Sequence, residues 1–198
     1  QHKEEIYKLF TDKANFEMVL VVKPEYARKH YSKIENADSS IFIELDNFER
    51  RCFILENELH KAQSVSASVT NKNYKLLPTK TVGYWDMELN VFVAYPDYDK
   101  IEIYKKVQEV MLLNYNEVAV EAGEIKSAQI LTKDMVTSEY PVQLILEPSA
   151  KSAFSNITSA KNKTRQLAIV LNSQVQSSPQ INEQITDGIA SISGMESK

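Results

Sequence analysis

An α+β fold is predicted, built from two β-α-β-α-β units with mixed sheets and helices packed on one face. Three observations lead there. Short apolar runs of strand length (Val19–Val22, Ile41–Leu45, Leu167–Leu171) are separated by segments whose apolar residues recur at helical spacing. Prolines stand where helices would begin, at Pro24, Pro148 and Pro179, positions at which the missing N–H costs nothing. The order of these signals near the start of the chain returns near its end.

Taken in order, Val19 to Val22 reads as a strand, and Pro24 opens a helix with the inner stripe Ala27, His30, Tyr31 and Ile34. Ile41 to Leu45 is the next strand. Leu55 and Leu59 lie four apart, as on one helix face, and Val65, Ala67 and Val69 alternate as in a strand. Asn71 to Lys80, with Pro78, reads as the boundary between the halves. In the middle, Leu89 to Ala94 reads as a strand, Tyr95-Pro96-Asp97 as a turn, and Ile103, Tyr104, Val107, Val110 and Met111 as a helical stripe. Val118 to Val120 would be the returning strand.

The last third is clearer. Val142, Leu144 and Leu146 alternate with Gln143 and Ile145. Pro148-Ser149 stands before the stripe Ala150, Ala153, Phe154 and Ile157. Leu167 to Leu171 is apolar throughout, as in a strand covered on both faces. Ser178-Pro179 reads as the start of a short helix carrying Ile181 and Ile185, with Gly188 as its left-handed closing residue. Ala190 and Ile192 then alternate with Ser191 and Ser193. Helices between strands favour right-handed crossovers and an at least partly parallel sheet. The domains expected are residues 1–75, a first repeat, and 76–198, the middle β-α-β segment plus a second repeat. Shared order and spacing support duplication, although any two strand-helix-strand units share some of it.

Composition bounds the chemistry. The chain has 198 residues, 43% hydrophobic and 25% charged, with only four glycines and six prolines, which suits an ordered domain rather than a linker. A net charge of −4 without a clustered basic footprint excludes nucleic acid as the expected partner. No run of about 18 apolar residues exists to span a bilayer. The opening at Gln1 reads as a processed or truncated product or an expression boundary, with a lipid anchor upstream as one expectation.

No catalytic set emerges, and neither cofactor nor metal is expected. Cys52 stands alone in the apolar stretch Cys52-Phe53-Ile54-Leu55 and reads as a buried thiol. His2 is terminal, His30 lies on a packed stripe, and His60 with Glu56 reads as a helix surface pair lacking further ligands. Glu121 and Glu124 read as surface charge. The remaining candidates are aromatic: Gly83-Tyr84-Trp85-Asp86 reads as a turn with two large rings, and Tyr95 and Tyr98 flank another. Rings on turns can anchor a partner, so Tyr84, Trp85, Tyr95 and Tyr98 are candidate partner-binding residues; the alternative is that they cover the core.

Several spaced motifs then add up to a resemblance. They are Val142 to Glu147, Phe154-Ser155-Asn156-Ile157-Thr158, Leu167-Ala168-Ile169-Val170-Leu171-Asn172, Ser178-Pro179, Ile181-Asn182-Glu183, Ile185-Thr186, Gly188 and Ile192-Ser193-Gly194. Over Glu124 to Gly194 the chain resembles the head part of the first periplasmic domain of SecD, the protein-export accessory subunit. Asn172 stands where that family has an aspartate and Gln180 where it has an apolar residue. The family's transmembrane helices and its glycine-rich opening segment are missing from this sequence. The resemblance implies a periplasmic or outer-membrane-anchored, non-enzymatic binding module in a bacterium, with an envelope protein or unfolded polypeptide as partner. A structural or assembly protein of the envelope and an accessory part of the export apparatus are the alternatives.

Overall fold

Alternation along β1 (Phe16–Val21) sends Phe16, Met18 and Leu20 to one face, and that period of two organises the core built around it. The computed structural model describes residues 16–37, 39–45, 50–69, 73–132 and 141–192. After β1 come α1 (Pro24–Ala37), β2 (Ile41–Leu45), β3 (Arg50–Leu55), α2 (Leu59–Val69), β4 (Tyr74–Asp86) and β5 (Val91–Val93). A 3₁₀ segment (Tyr98–Ile103) leads into the long strand β6 (Tyr104–Glu121), followed by β7 (Ile125–Ile130) and β8 (Val142–Leu146). Then come α3 (Pro148–Ile157), β9 (Leu167–Leu171), β10 (Gln174–Ser177) and β11 (Ile189–Ile192). The α+β class is as expected. Val22–Asn114 form one compact unit; the described residues before Val22 and from Tyr115 onward form the other. His2 and Gly194 lie outside the described residues, as do Asn71 and Ser193.

In the 22–114 unit, β2 pairs with β3, β3 with β6, β6 with β4 and β4 with β5, each antiparallel. Ile41, Ile43, Cys52 and Ile54 face α1 and α2, meeting Ala27, Tyr31, Ile34 and Ala62. Phe42 and Phe53 point the other way, towards Trp85, Val107 and Phe92. Both faces of β3 are therefore covered, which explains its unbroken apolar run. The buried Tyr31 hydroxyl accepts a hydrogen bond from the Leu112 N–H at 3.2 Å, so burying it leaves no bare acceptor.

Several expectations are corrected in this unit. Ile103–Met111 is not a helix: Val107 packs with the aromatic cluster whereas Val110 and Leu112 pack under the helices, opposite faces that only a strand separates. Tyr74–Lys80 is strand rather than boundary, and Gly83–Asp86 continues it rather than turning. Strand geometry in the stretch Leu89–Ala94 is confined to β5, with Leu89 and Asn90 in a turn where Asn90 takes φ 57°. Val65, Ala67 and Val69 lie in α2, and Leu55 ends a strand instead of sharing a helix face with Leu59. Ser64 and Ser68 mimic strand alternation, but both donate to helix carbonyls, those of His60 and Val65.

Gly83 shows why β4 carries a glycine. A Cβ there would stand 2.6 Å from the Phe92 ring and 2.7 Å from the Val93 carbonyl oxygen. That ring is stacked on Phe53 with centroids 4.5 Å apart, so giving way to the methyl would disturb the stack, and the Val93 carbonyl belongs to the paired strand β5. Gly83→Ala is expected to cost about 1–3 kcal/mol by overpacking, read as a lower urea midpoint.

In the other unit β9 pairs antiparallel with β1 and β10, while β8 lies between β7 and β11 in a three-stranded antiparallel sheet. Every second residue of β1, β8, β9 and β11 enters one core, joined by Ala150 and Phe154 of α3. All five β9 residues are buried, as its composition predicts. The β9–β10 turn places Asn172 at φ 49° and Ser173 at φ 62°, a conformation asparagine tolerates better than most residues.

The helix expected at Pro179–Asp187 is absent. The segment runs extended beside residues 164–167: Leu167 N donates to Pro179 O, Ile181 N to Arg165 O, and Thr164 N to Ile181 O, at 2.8–2.9 Å. Its isoleucines still face inward, Ile181 buried and Ile185 half-buried, because backbone pairing satisfies the amides that a helix would otherwise close. Gly188 does take the left-handed conformation, φ 75°, at the entry to β11.

Candidate functional site

Thr158 closes α3 and ties the extended segment to it. Its hydroxyl donates to the Phe154 carbonyl at 2.9 Å and accepts from the Ile185 N–H at 2.9 Å. The Gln184 amide adds bonds to Ser155, 3.1 Å to the carbonyl and 2.9 Å to the hydroxyl. The threonine of the Phe-x-x-Ile-Thr motif thus latches residues 184–185 onto the helix end. Thr158→Val keeps the shape but strands the Ile185 amide. It is expected to cost about 1–3 kcal/mol and to speed hydrogen exchange at that amide first.

Under this segment lies a cavity of about 530 Å³, floored by Met18, Phe154, Leu167 and Ile169 and bounded on the far side by β11. Among the described residues β11 is an edge strand. The phase of its pairing follows from the register and from the Leu146 N–H, which donates to Gly188 O at 2.9 Å. Residues 188, 190 and 192 therefore share hydrogen bonds with β8, and Ile189 and Ser191 direct their backbone groups outward. The Ile189 N–H is held by the Asp187 carboxylate at 2.9 Å, leaving the Ser191 N–H and the Ile189 and Ser191 carbonyls along the edge. Arg165, whose carbonyl accepts from the Ile181 N–H, grips Glu117 at 3.1 Å, the Asn162 side chain at 2.9 Å and the Val21 carbonyl at 3.1 Å.

The four aromatic candidates are not brought together. Trp85 is 1% exposed, stacked on Phe42 at 5.2 Å and donating its indole N–H to Asn90 at 3.2 Å, so it packs the core instead of offering a surface. Tyr84 is half-buried in β4 opposite Lys106. Tyr95 and Tyr98 are 84% and 73% exposed. Glu56 pairs with Lys106 at 2.8 Å rather than with His60, which is exposed. His30 packs edge-on against Tyr74 with centroids 4.9 Å apart, and burial, then Lys33 and Lys29, lower its pKa. Glu124 accepts from the Glu121 N–H in a capping box. Among the described residues no three His, Cys, Asp or Glu side chains gather as metal ligands would.

Cys52 is fully buried, and desolvation, reinforced by Glu35 and Glu109, pushes its thiol far above the ordinary range. The native thiol should resist Ellman's reagent until unfolding. Its folded pKa is raised, so its contribution to stability is complete below the unfolded value of about 8.5 and is lost as pH rises beyond it. Urea unfolding at rising alkaline pH should show a loss of about 1.4 kcal/mol per pH unit from this group. Cys52→Ala should remove that component.

Sequence reasoning missed one cluster. Arg51 bonds Glu109 at 2.7 Å and Glu44 at 3.3 Å, with its guanidinium 4.8 Å and 5.0 Å from the Phe53 and Phe92 ring centres. Burial opposes its charge, but the two carboxylates outweigh that and raise its pKa. Glu44 is the one charge in β2, but Arg51 adjoins Arg50 and Glu109 shares β6 with other charges, so only strand pairing marks the three as a group.

Comparison with known proteins places these features. The family described as SecDF, P1 head subdomain, matches residues 99–198, which include β11, the Thr158 latch and the groove's lining apart from Met18. Solved SecDF structures also match. One is a SecDF in a super-membrane-facing form, with 18% identity, a TM-score of 0.36, and coverage of 92% of this chain and 26% of that one. Another, titled as a membrane component SecDF that enhances protein export, has 17% identity, a TM-score of 0.36, and coverage of 92% and 86%. A third, a translocon-associated SecDF from Thermus thermophilus, has 16% identity, a TM-score of 0.33, and coverage of 94% and 27%. The chain thus spans about a quarter of the first of these. No curated protein matches. Among the described residues no helix is long and apolar enough to cross a membrane.

Proposed function

Because this chain belongs to the SecDF P1 head subdomain family, we propose that it is a non-catalytic module of protein export in the bacterial envelope, and that the groove beside β11 receives an extended polypeptide. The observation that carries this reading is that β11 is an edge strand among the described residues, with the Ser191 N–H directed outward beside a cavity lined by residues 179–187 and by Phe154 and Ile169. An added strand pairs its main chain with Ser191 and the Ile189 carbonyl. Alternate side chains then reach over Phe154 and Ile169. Main-chain pairing supplies affinity without regard to sequence, which suits a site that meets many different polypeptides. A four-residue edge gives weak binding, as release requires.

The test uses short extended peptides alternating leucine with threonine, titrated while the Ser191 and Ile189 amides are followed by NMR. Ser191→Pro removes the outward donor at an edge position where proline is tolerated. It should weaken binding about tenfold with the fold intact. Equal binding by Ser191→Pro, or shifts confined elsewhere, would refute the groove reading.

A further inference from the structure

The unit formed by residues 22–114 carries its own unexplained surface. Leu89 is 71% exposed, and Met87, Tyr95, Tyr98 and Ile101 are exposed as well. They stand on two turns bound to each other. The Met87 N–H donates to Ile103 O at 3.0 Å, and Asp86 pairs in register with Tyr104 and accepts from its hydroxyl. Each turn is also braced internally. The Asp86 carboxylate accepts from the Glu88 and Leu89 N–H groups at 2.9 Å, and the Asp97 carboxylate accepts from Asp99 N at 3.1 Å. The large side chains are therefore displayed on backbone already ordered, which lowers the entropy lost on contact.

Charge indicates what fits there. From Met87 to Glu102 the exposed ionisable residues are Glu88, Asp97, Asp99 and Glu102 against Lys100 alone, four carboxylates to one ammonium. An apolar surface whose neighbouring charges are predominantly carboxylates matches a partner of opposite pattern. An anionic membrane surface would be repelled.

We infer that the surface formed by Leu89, Tyr95, Tyr98 and Ile101 docks a protein that presents an apolar centre framed by lysine or arginine. The inference stands on a different unit from the groove and does not depend on it.

Two synthetic amphipathic helical peptides, leucine-lysine and leucine-glutamate, test it by NMR titration of the full chain, alongside vesicles of phosphatidylcholine with and without phosphatidylglycerol. The lysine peptide should shift amides of residues 87–103, more weakly at high salt. Leu89→Ser with Tyr98→Ser should reduce its affinity about tenfold, and Asp99→Asn with Glu102→Gln several-fold. Unchanged Trp85 emission in these variants confirms that the unit beneath stays folded. The inference is overturned by equal binding of both peptides, by binding of neither, by indifference to the Leu89 and Tyr98 changes, or by adherence to vesicles in place of the peptide.

Discussion

Trp85→Ala is expected to lower the stability of the 22–114 unit by about 3–5 kcal/mol, enough to leave it largely unfolded if its margin is that of an ordinary domain. The indole fills the space between Phe42, stacked at 5.2 Å, and Phe53, tilted at 5.7 Å. Its removal opens a cavity whose walls belong to paired strands and cannot close, and it also leaves Asn90 without its indole donor. Trp85→Phe keeps most of the volume and loses that bond, so about 1–2 kcal/mol is expected. Urea unfolding followed by far-UV circular dichroism measures both. As the chain's one tryptophan, Trp85 also reports on its own unit: emission in the native protein should be blue-shifted and should move red on unfolding. Trp85→Ala at wild-type stability would mean that the aromatic cluster is not the core of this unit.

Phe154→Ala is the matching change in the other unit, with an expected cost of about 3–5 kcal/mol. The ring is buried beside Ala150 in the core shared by β1, β8, β9 and β11, and it also floors the groove. Phe154→Leu should recover most of the loss, because an apolar side chain of similar reach refills the floor. The two variants separate stability from binding. If the groove receives an extended chain, Phe154→Leu should fold and yet bind the leucine-threonine peptides less well than wild type, having exchanged a flat ring for a branched side chain. Far-UV circular dichroism and peptide titration on the same samples give both readings.

Much of the fold was legible because local pattern and burial coincide in it. β1, α1, β2, β8, α3 and β9 all match segments marked by apolar runs, by period-two alternation or by a proline at the helix start. The failures fall where a segment's own pattern is ambiguous. Ile103–Met111 and Val65–Val69 each fit two periods, and the deciding contact is not in the pattern itself: it is distant for β6, which β4 pairs along its first part, and local for Ser64 and Ser68, which turn back onto their own helix. At Pro179–Asp187 the sequence placed both isoleucines inward correctly but named the wrong backbone, since an extended segment paired with residues 164–167 buries Ile181 as well as a helix would. Of the site, only the motif residues were visible. The tyrosines at 95 and 98 were found with Trp85, which turned out to be core, and the Arg51 cluster was not found at all.

By itself, then, the sequence determined the inward-facing stripes of α1, β8, α3 and β9, where helices begin at Pro24 and Pro148, and which family Glu124 to Gly194 resemble. Those properties follow from side-chain polarity and from the stereochemistry of single residues. Tertiary structure alone decided that β11 is an edge strand among the described residues, that Thr158 latches Ile185, that three distant charges meet at Arg51, and that Trp85 is buried while Leu89 is not. Each of these depends on partners many residues away, and pairing between distant strands leaves no periodicity in the segment that receives it.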